Sequence, residues 1–183
     1  MKKQPKTNAI RILEKQNIPF EAIYYESDGF MDGVSVANKL GQNPAQVFKT
    51  LVTVGKSREH YVFVIPVAEN LDLKAAAACV GEKSVEMIHV KDITAVTGYI
   101  RGGCSPIGMK KQFKTVVDQS ALEFDQIVFS GGQLGVQIKM RPTDLQNIGN
   151  VTFHPMRECT ERKNILPIAA DSVGATLRGR PET

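Results

Sequence analysis

Two apolar, β-branched runs, Val47-Phe-Lys-Thr-Leu-Val-Thr-Val54 and Tyr61-Val-Phe-Val-Ile65, are separated only by the polar segment GKSREH. A connection that short cannot carry a crossover helix, so the runs must pair as an antiparallel hairpin. Around this hairpin the sequence predicts short helices scattered among further strands. Thr7 caps a helix over Asn8–Gln16, with Ala9, Ile10 and Leu13 apolar at near-helical spacing. A strand follows over Phe20–Tyr25, then a helix from Ser35 to Leu40 stopped by Gly41. Leu73–Val80 is helical on propensity and ends at Gly81; Val85–Ile88 is a short strand and Lys91–Val96 a short helix. Thr115–Asp118, Gln126–Phe129 and Val136–Met140 complete the strands, and Arg141–Leu145 opens a last short helix with proline near its start. This mixture predicts one α/β domain rather than a regular parallel βαβ stack.

Composition narrows the classes further. Lys and Arg number 23 against 19 Asp and Glu, a net charge of +4, which permits a nucleic-acid partner without requiring one. No stretch approaches the ~18 apolar residues of a membrane span. The first residues, MKKQPKTNAIRILEKQ, have no apolar core of a secretory signal, so a cytoplasmic protein is expected, with no membrane partner. Cys79, Cys104 and Cys159 are an odd number at wide spacing with no CxxC, which fits neither a disulfide framework nor a closed zinc site. His154 and Cys159 supply half of a zinc site, and no metal or cofactor is expected.

The densest glycine cluster is Gly98-Tyr-Ile-Arg-Gly102-Gly103-Cys104-Ser105-Pro106-Ile-Gly108. A tight loop with few side chains can offer backbone N–H groups to a phosphate, a carboxylate or a developing oxyanion. It lacks the GK[ST] of a P-loop and is not GxGxxG. From Arg101 to Val117 the chain carries Arg101, Lys110, Lys111 and Lys114 and no acid, either a cradle for a phosphodiester or a solvated basic face. Lys49, inside an apolar strand, either faces solvent or enters a cavity where it meets an anion. A nucleophilic Cys104 or Ser105 would need a base, and the nearest histidine in sequence, His89, is far from adjacent. Ser130-Gly131-Gly132 reads as a hairpin turn, and Asp144 as a dipole partner at a helix start.

FKTLV around Lys49, ENLDLKAAA from Glu69, KSVEMI from Lys83, TGYIRGGCSPIG from Thr97, LEF at Leu122 and FSGGQLG from Phe129 occur together and in order. The chain thereby resembles the YbaK/EbsC family from about Thr7 to Asp144. Its best-known members are bacterial Cys-tRNA(Pro) deacylases, similar to the inserted editing domain of prolyl-tRNA synthetases. The resemblance implies a compact single α/β domain with a mixed, largely antiparallel, barrel-like sheet and short surrounding helices. It places that domain at residues 1–160, with 161–183 a partly flexible C-terminal extension. It implies removal of a wrong amino acid from the acceptor end of mischarged tRNA(Pro), with prolyl-tRNA synthetase as a further partner. Lys49 is implied to hold the terminal phosphate or ribose and, with Gly102, Gly103 and Gly108 of the glycine loop, to be catalytic. Tyr25, Thr50, Ser105, Pro106, Ser130 and Asp144 are implied to bind substrate, and Arg101, Lys110, Lys111 and Lys114 to bind tRNA. Many relatives carry an apolar residue in place of Cys104. The family's pocket phenylalanine falls near Phe30, whereas an ungapped alignment on Lys39-Leu40-Gly41 puts Asp32 there. An aminoacyl ester is already activated, and a cysteinyl thiol can attack its own carbonyl, so a chain without a recognisable triad suits substrate-assisted cleavage. Two alternatives are a deacylase for another misacylated tRNA, such as Ala-tRNA(Pro), and a non-catalytic tRNA or small-metabolite binder.

Overall fold

Helix caps fix most element boundaries. The Thr7 hydroxyl accepts from the Ile10 N–H at 3.2 Å and starts α1 (Asn8–Lys15), whose Ala9, Ile10 and Leu13 are buried. Asp32 caps α2 (Gly33–Lys39) through the Ser35 N–H at 2.9 Å, so this helix begins earlier than the expected Ser35. Asp72 accepts from the Lys74 and Ala75 N–H groups and starts α3 (Leu73–Val80), which ends at Gly81 in the left-handed region, φ 74°. The short helix expected over 91–96 is a 3-10 turn, Val90–Asp92, running into α4 (Ile93–Thr97). The segment Pro142–Asn147 is likewise 3-10 rather than α.

This computed structural model describes residues 4–27 and 29–156. Its strands are β1 (Phe20–Tyr24), β2 (Phe48–Gly55), β3 (His60–Pro66), β4 (Val85–Met87), β5 (Lys114–Asp118), β6 (Ile127–Gln133), β7 (Val136–Met140) and β8 (Val151–His154). The hairpin is present as β2 and β3, antiparallel, with Lys49 opposite Ile65. It sits inside a five-stranded sheet of order β4-β2-β3-β5-β8, in which β5 and β8 join in parallel. A second, antiparallel sheet has the order β1-β7-β6. The two sheets meet at a parallel bridge between Val47 and Val128 and do not close into one barrel. They share a core with α1: Phe48, Val62 and Val64 from one sheet pack with Phe129, Ile138 and Met140 from the other, around Ile10 and Leu13. A smaller core under α3 joins Ala76 and Ala77 to Phe63, Ile65 and Val116.

Two features depart from the sequence reading. Ser130-Gly131-Gly132 is not the hairpin turn: β6 runs through it with a register shift before Gln133, and the turn falls at Leu134-Gly135. Gly132, at φ +105°, takes a backbone conformation that allows this irregularity, and the Thr7 hydroxyl donates to the Gly131 carbonyl, tying β6 to the head of α1. The edge strand β8 was not expected at all. The domain limit at 160, the extension 161–183 and Cys159 lie outside the described residues. No helix among the described residues is long and apolar enough to cross a membrane.

Candidate active site

The seam between the two sheets opens into a cleft of about 300 Å³. Lys49, Thr50 and Leu51 of β2 form one wall, Phe129 and Ser130 of β6 with Gln137 of β7 another, and Tyr25 follows the end of β1. The head of α2 contributes Asp32 and Gly33, while Phe30, Arg101, Gly102 and Cys104 complete the lining. Lys49 lies two residues past Val47, which is bridged to Val128 of β6 while its carbonyl still accepts from the Val67 N–H at 2.8 Å, so the start of β2 stands at the seam between the two sheets.

Lys49 is half-buried, and burial lowers its ammonium pKa below the ordinary lysine value; the charges of Glu69 and then Asp32 offset part of that effect. A half-buried cation so placed has its strongest use in meeting an anion that enters the cleft. Arg101 stands over Phe30, its guanidinium carbon 4.4 Å from the ring centroid, and Phe30 is 52% exposed. Beneath that ring lies Gly102 at φ +83°, where a Cβ would come within 3.0 Å of Phe30 Cδ2 and of Leu134 Cδ2. Gly103 packs on the other strand end: a Cβ there would stand 3.1 Å from the Gln133 Cα. The loop is pinned from below by Tyr99, whose hydroxyl donates to the Ile107 carbonyl at 2.6 Å, and by the Thr97 hydroxyl accepting from the Tyr99 N–H. Burial pushes the Cys104 thiol up to about 11, with a hydrogen bond to Thr97 acting the other way, so it is protonated at neutral pH. Gln137 is buried and exchanges amide hydrogen bonds with Gln42 at 2.8 and 3.3 Å.

Of the residues singled out from sequence, Lys49, Gly102, Tyr25, Thr50, Ser130 and Arg101 come together here, together with Cys104, Phe30 and Asp32. The others are placed elsewhere. Ser105 is fully buried, its hydroxyl accepting from the Ile107 N–H at 3.3 Å. The Gly103 N–H is committed to the Ile100 carbonyl at 3.0 Å, which closes the turn. Pro106, Gly108 and Lys111 line a separate groove with Lys15, Met109 and Phe113. Asp144 faces a third depression with Phe124, Asp125 and Arg141. Lys110 donates to the Ala95 carbonyl at 3.3 Å, and Lys114 begins β5 opposite Tyr61. Of the four members of the basic stretch only Arg101 lines this cleft. Gln137 reads from sequence only as a strand residue, and Asp32 enters only through the alignment on Lys39-Leu40-Gly41, not through any signal of its own. Among the described residues no three His, Cys, Asp or Glu side chains converge to hold a metal ion.

Residues 31–148, which include Lys49, the glycine loop and Ser130, match the model of the aminoacyl-tRNA editing domain. The chain belongs to that family. A relative from Enterococcus faecalis, named "Putative Cys-tRNA(Pro)/Cys-tRNA(Cys) deacylase EbsC", is 45% identical over 153 residues, 83% of this chain and 93% of its own. The fold is similar to that of a solved structure described as "a putative trans-editing enzyme for prolyl tRNA synthetase", with a TM-score of 0.73, 21% identity and coverage of 85% of this chain and 100% of that one. Family membership makes an aminoacyl-tRNA the substrate class, and the editing-domain match spans every segment of the cleft except Tyr25 and Phe30.

Proposed function

We propose that the protein is a trans-editing deacylase that removes cysteine from Cys-tRNA(Pro), and from Cys-tRNA(Cys), by letting the substrate's own thiol attack. The observation that carries this reading is the lining of the cleft: a half-buried lysine, an exposed arginine and a glycine loop, with no histidine and with a Cys104 thiol held protonated. Such a site binds and orients an activated ester without supplying a strong base or nucleophile of its own.

In the step that follows, the substrate sulfur bonds to the carbonyl carbon and the ester bond to the terminal ribose breaks. The thiol proton ends on the departing ribose oxygen, leaving free tRNA and a cysteine thiolactone that water opens to cysteine. Lys49 holds the terminal phosphate or ribose, and Gly102, Tyr25, Thr50 and Ser130 confine the aminoacyl group in a near-attack geometry. Well-oriented intramolecular attack reaches effective molarities of about 10⁵ M or more, which is enough to outrun water. Prolyl-tRNA synthetase is the proposed partner that delivers mischarged tRNA(Pro).

The test is ester loss from Cys-, Ala-, Ser- and Pro-tRNA(Pro) incubated with the protein. Rapid loss confined to Cys-tRNA supports the reading. Equal loss from Ala-tRNA points to a water-using deacylase, and no loss with retained tRNA affinity points to a binding protein.

A further inference from the structure

Asp32 caps α2 and also stands in the wall of the cleft that holds Lys49. Its Oδ1 accepts from the Ser35 N–H and its Oδ2 from the Ser35 hydroxyl, both at 2.9 Å. These bonds fix the direction of the carboxylate and leave each oxygen further lone pairs. Its charge is felt at Lys49 across the cleft. A carboxylate beside a site that must admit a polyanionic acceptor end repels the phosphates, unless the substrate also brings a cation to it. An aminoacyl ester brings one, the α-ammonium, on the carbon next to the reacting carbonyl. Asp32 and Lys49 line one cleft of about 300 Å³, so a charge on its wall lies within reach of the ammonium of an aminoacyl group bound there.

We propose that Asp32 receives the α-ammonium of the bound aminoacyl group, so that the cleft reads a free amino terminus and rejects esters that lack one. The positive members of the cleft, Lys49 and Arg101, then face the nucleic acid, and the negative one faces the amino acid. This specificity rests on the deacylase reading above.

The test compares Cys-tRNA(Pro) with 3-mercaptopropionyl-tRNA(Pro), which keeps the thiol and lacks only the amino group. At about pH 6 the amino group is protonated. Each rate is divided by that ester's uncatalysed rate of loss, because the α-ammonium itself activates the neighbouring carbonyl; with that division made, the wild-type protein should prefer the cysteinyl ester in kcat/KM by about tenfold or more, the usual worth of a charge-assisted hydrogen bond. Asp32→Asn and Asp32→Ser both keep a side chain able to cap α2, and each should bring that ratio close to one. Lys49→Ala should slow both esters and leave the ratio as it is. A ratio of one in the wild type, or an unchanged ratio in Asp32→Asn, overturns the proposal. Affinities for amide-linked, uncleavable versions of the two acceptor ends are measured in parallel. If the wild type cleaves neither ester, the deacylase reading fails, and the binding ratio still decides the role of Asp32.

Discussion

Replacing Gly102 with alanine perturbs the site at the point where its geometry is most restrictive. Gly102 has φ +83°, a conformation that costs a residue with a Cβ about 1–2 kcal/mol. The new methyl would also stand 3.0 Å from Phe30 Cδ2 and from Leu134 Cδ2. Both are side-chain ends, and Phe30 is 52% exposed, so the ring can swing away and the clash adds little to the cost of folding. The fold should therefore survive with Tm lowered by roughly 2–8 °C for a chain of this size. Activity should suffer more than stability, because the displaced ring and its stacked Arg101 form the mouth of the cleft. A loss of about tenfold or more in kcat/KM for Cys-tRNA(Pro) is expected, read beside thermal melting. Combining Gly102→Ala with Phe30→Ala removes the contact with the ring but neither the Leu134 contact nor the backbone cost, so the double variant should lose less activity than the two single losses combined. Unaltered melting and rate in Gly102→Ala, or losses that add fully, would refute the geometric argument.

Cys104→Ser should retain activity, and intact mass of the wild type under turnover should show no acyl adduct, since a thiol pushed up to about 11 is protonated at assay pH. Because burial lowers the Lys49 pKa, the folded protein releases that proton before the unfolded chain does; the stability penalty is fully present below the folded pKa and relieved as pH rises toward the unfolded value. Lys49→Met should accordingly melt higher than wild type at neutral pH, with the gap narrowing near about pH 10, and should have lost deacylation. Arg101→Ala should flatten the log–log salt dependence of tRNA binding by about 0.7 for one single-strand phosphate contact, with amino-acid preference unchanged. Lys114→Ala, on β5 outside the cleft, should leave that slope alone; an equal effect would return the tRNA path to the whole basic stretch.

The elements that could be read from sequence are those with local signals. The β2–β3 hairpin, the caps at Thr7 and the stop at Gly81 depend on residues close in the chain, and they stand where expected. The edge strand β8 carries only Val151-Thr-Phe-His154 and owes its existence to β5 beside it, which no local pattern reveals. The same distinction governs the site. Lys49 announced itself as a charge inside an apolar strand. The glycine loop was visible as a cluster, but its members serve different ends: Gly102 lines the cleft, Gly103 closes a turn and Gly108 faces another groove. Ser105 looked reactive and is a buried turn residue. Asp32 carries no local signal and is reached only by alignment; as the cap of α2 it stands in the cleft wall. Which face of a loop meets the seam is decided by the packing of two sheets, and that is long-range information.

The central claim is that the substrate supplies the nucleophile, and S-methyl-cysteinyl-tRNA(Pro) tests it most directly. Methylation keeps the sulfur and nearly the shape while removing its ability to attack. The protein should bind this ester and leave it intact while it cleaves Cys-tRNA(Pro) rapidly, with the thiolactone trapped as the first product. Cleavage of the methylated ester at the rate of Cys-tRNA(Pro) would contradict the account and assign the attack to water or to the ribose.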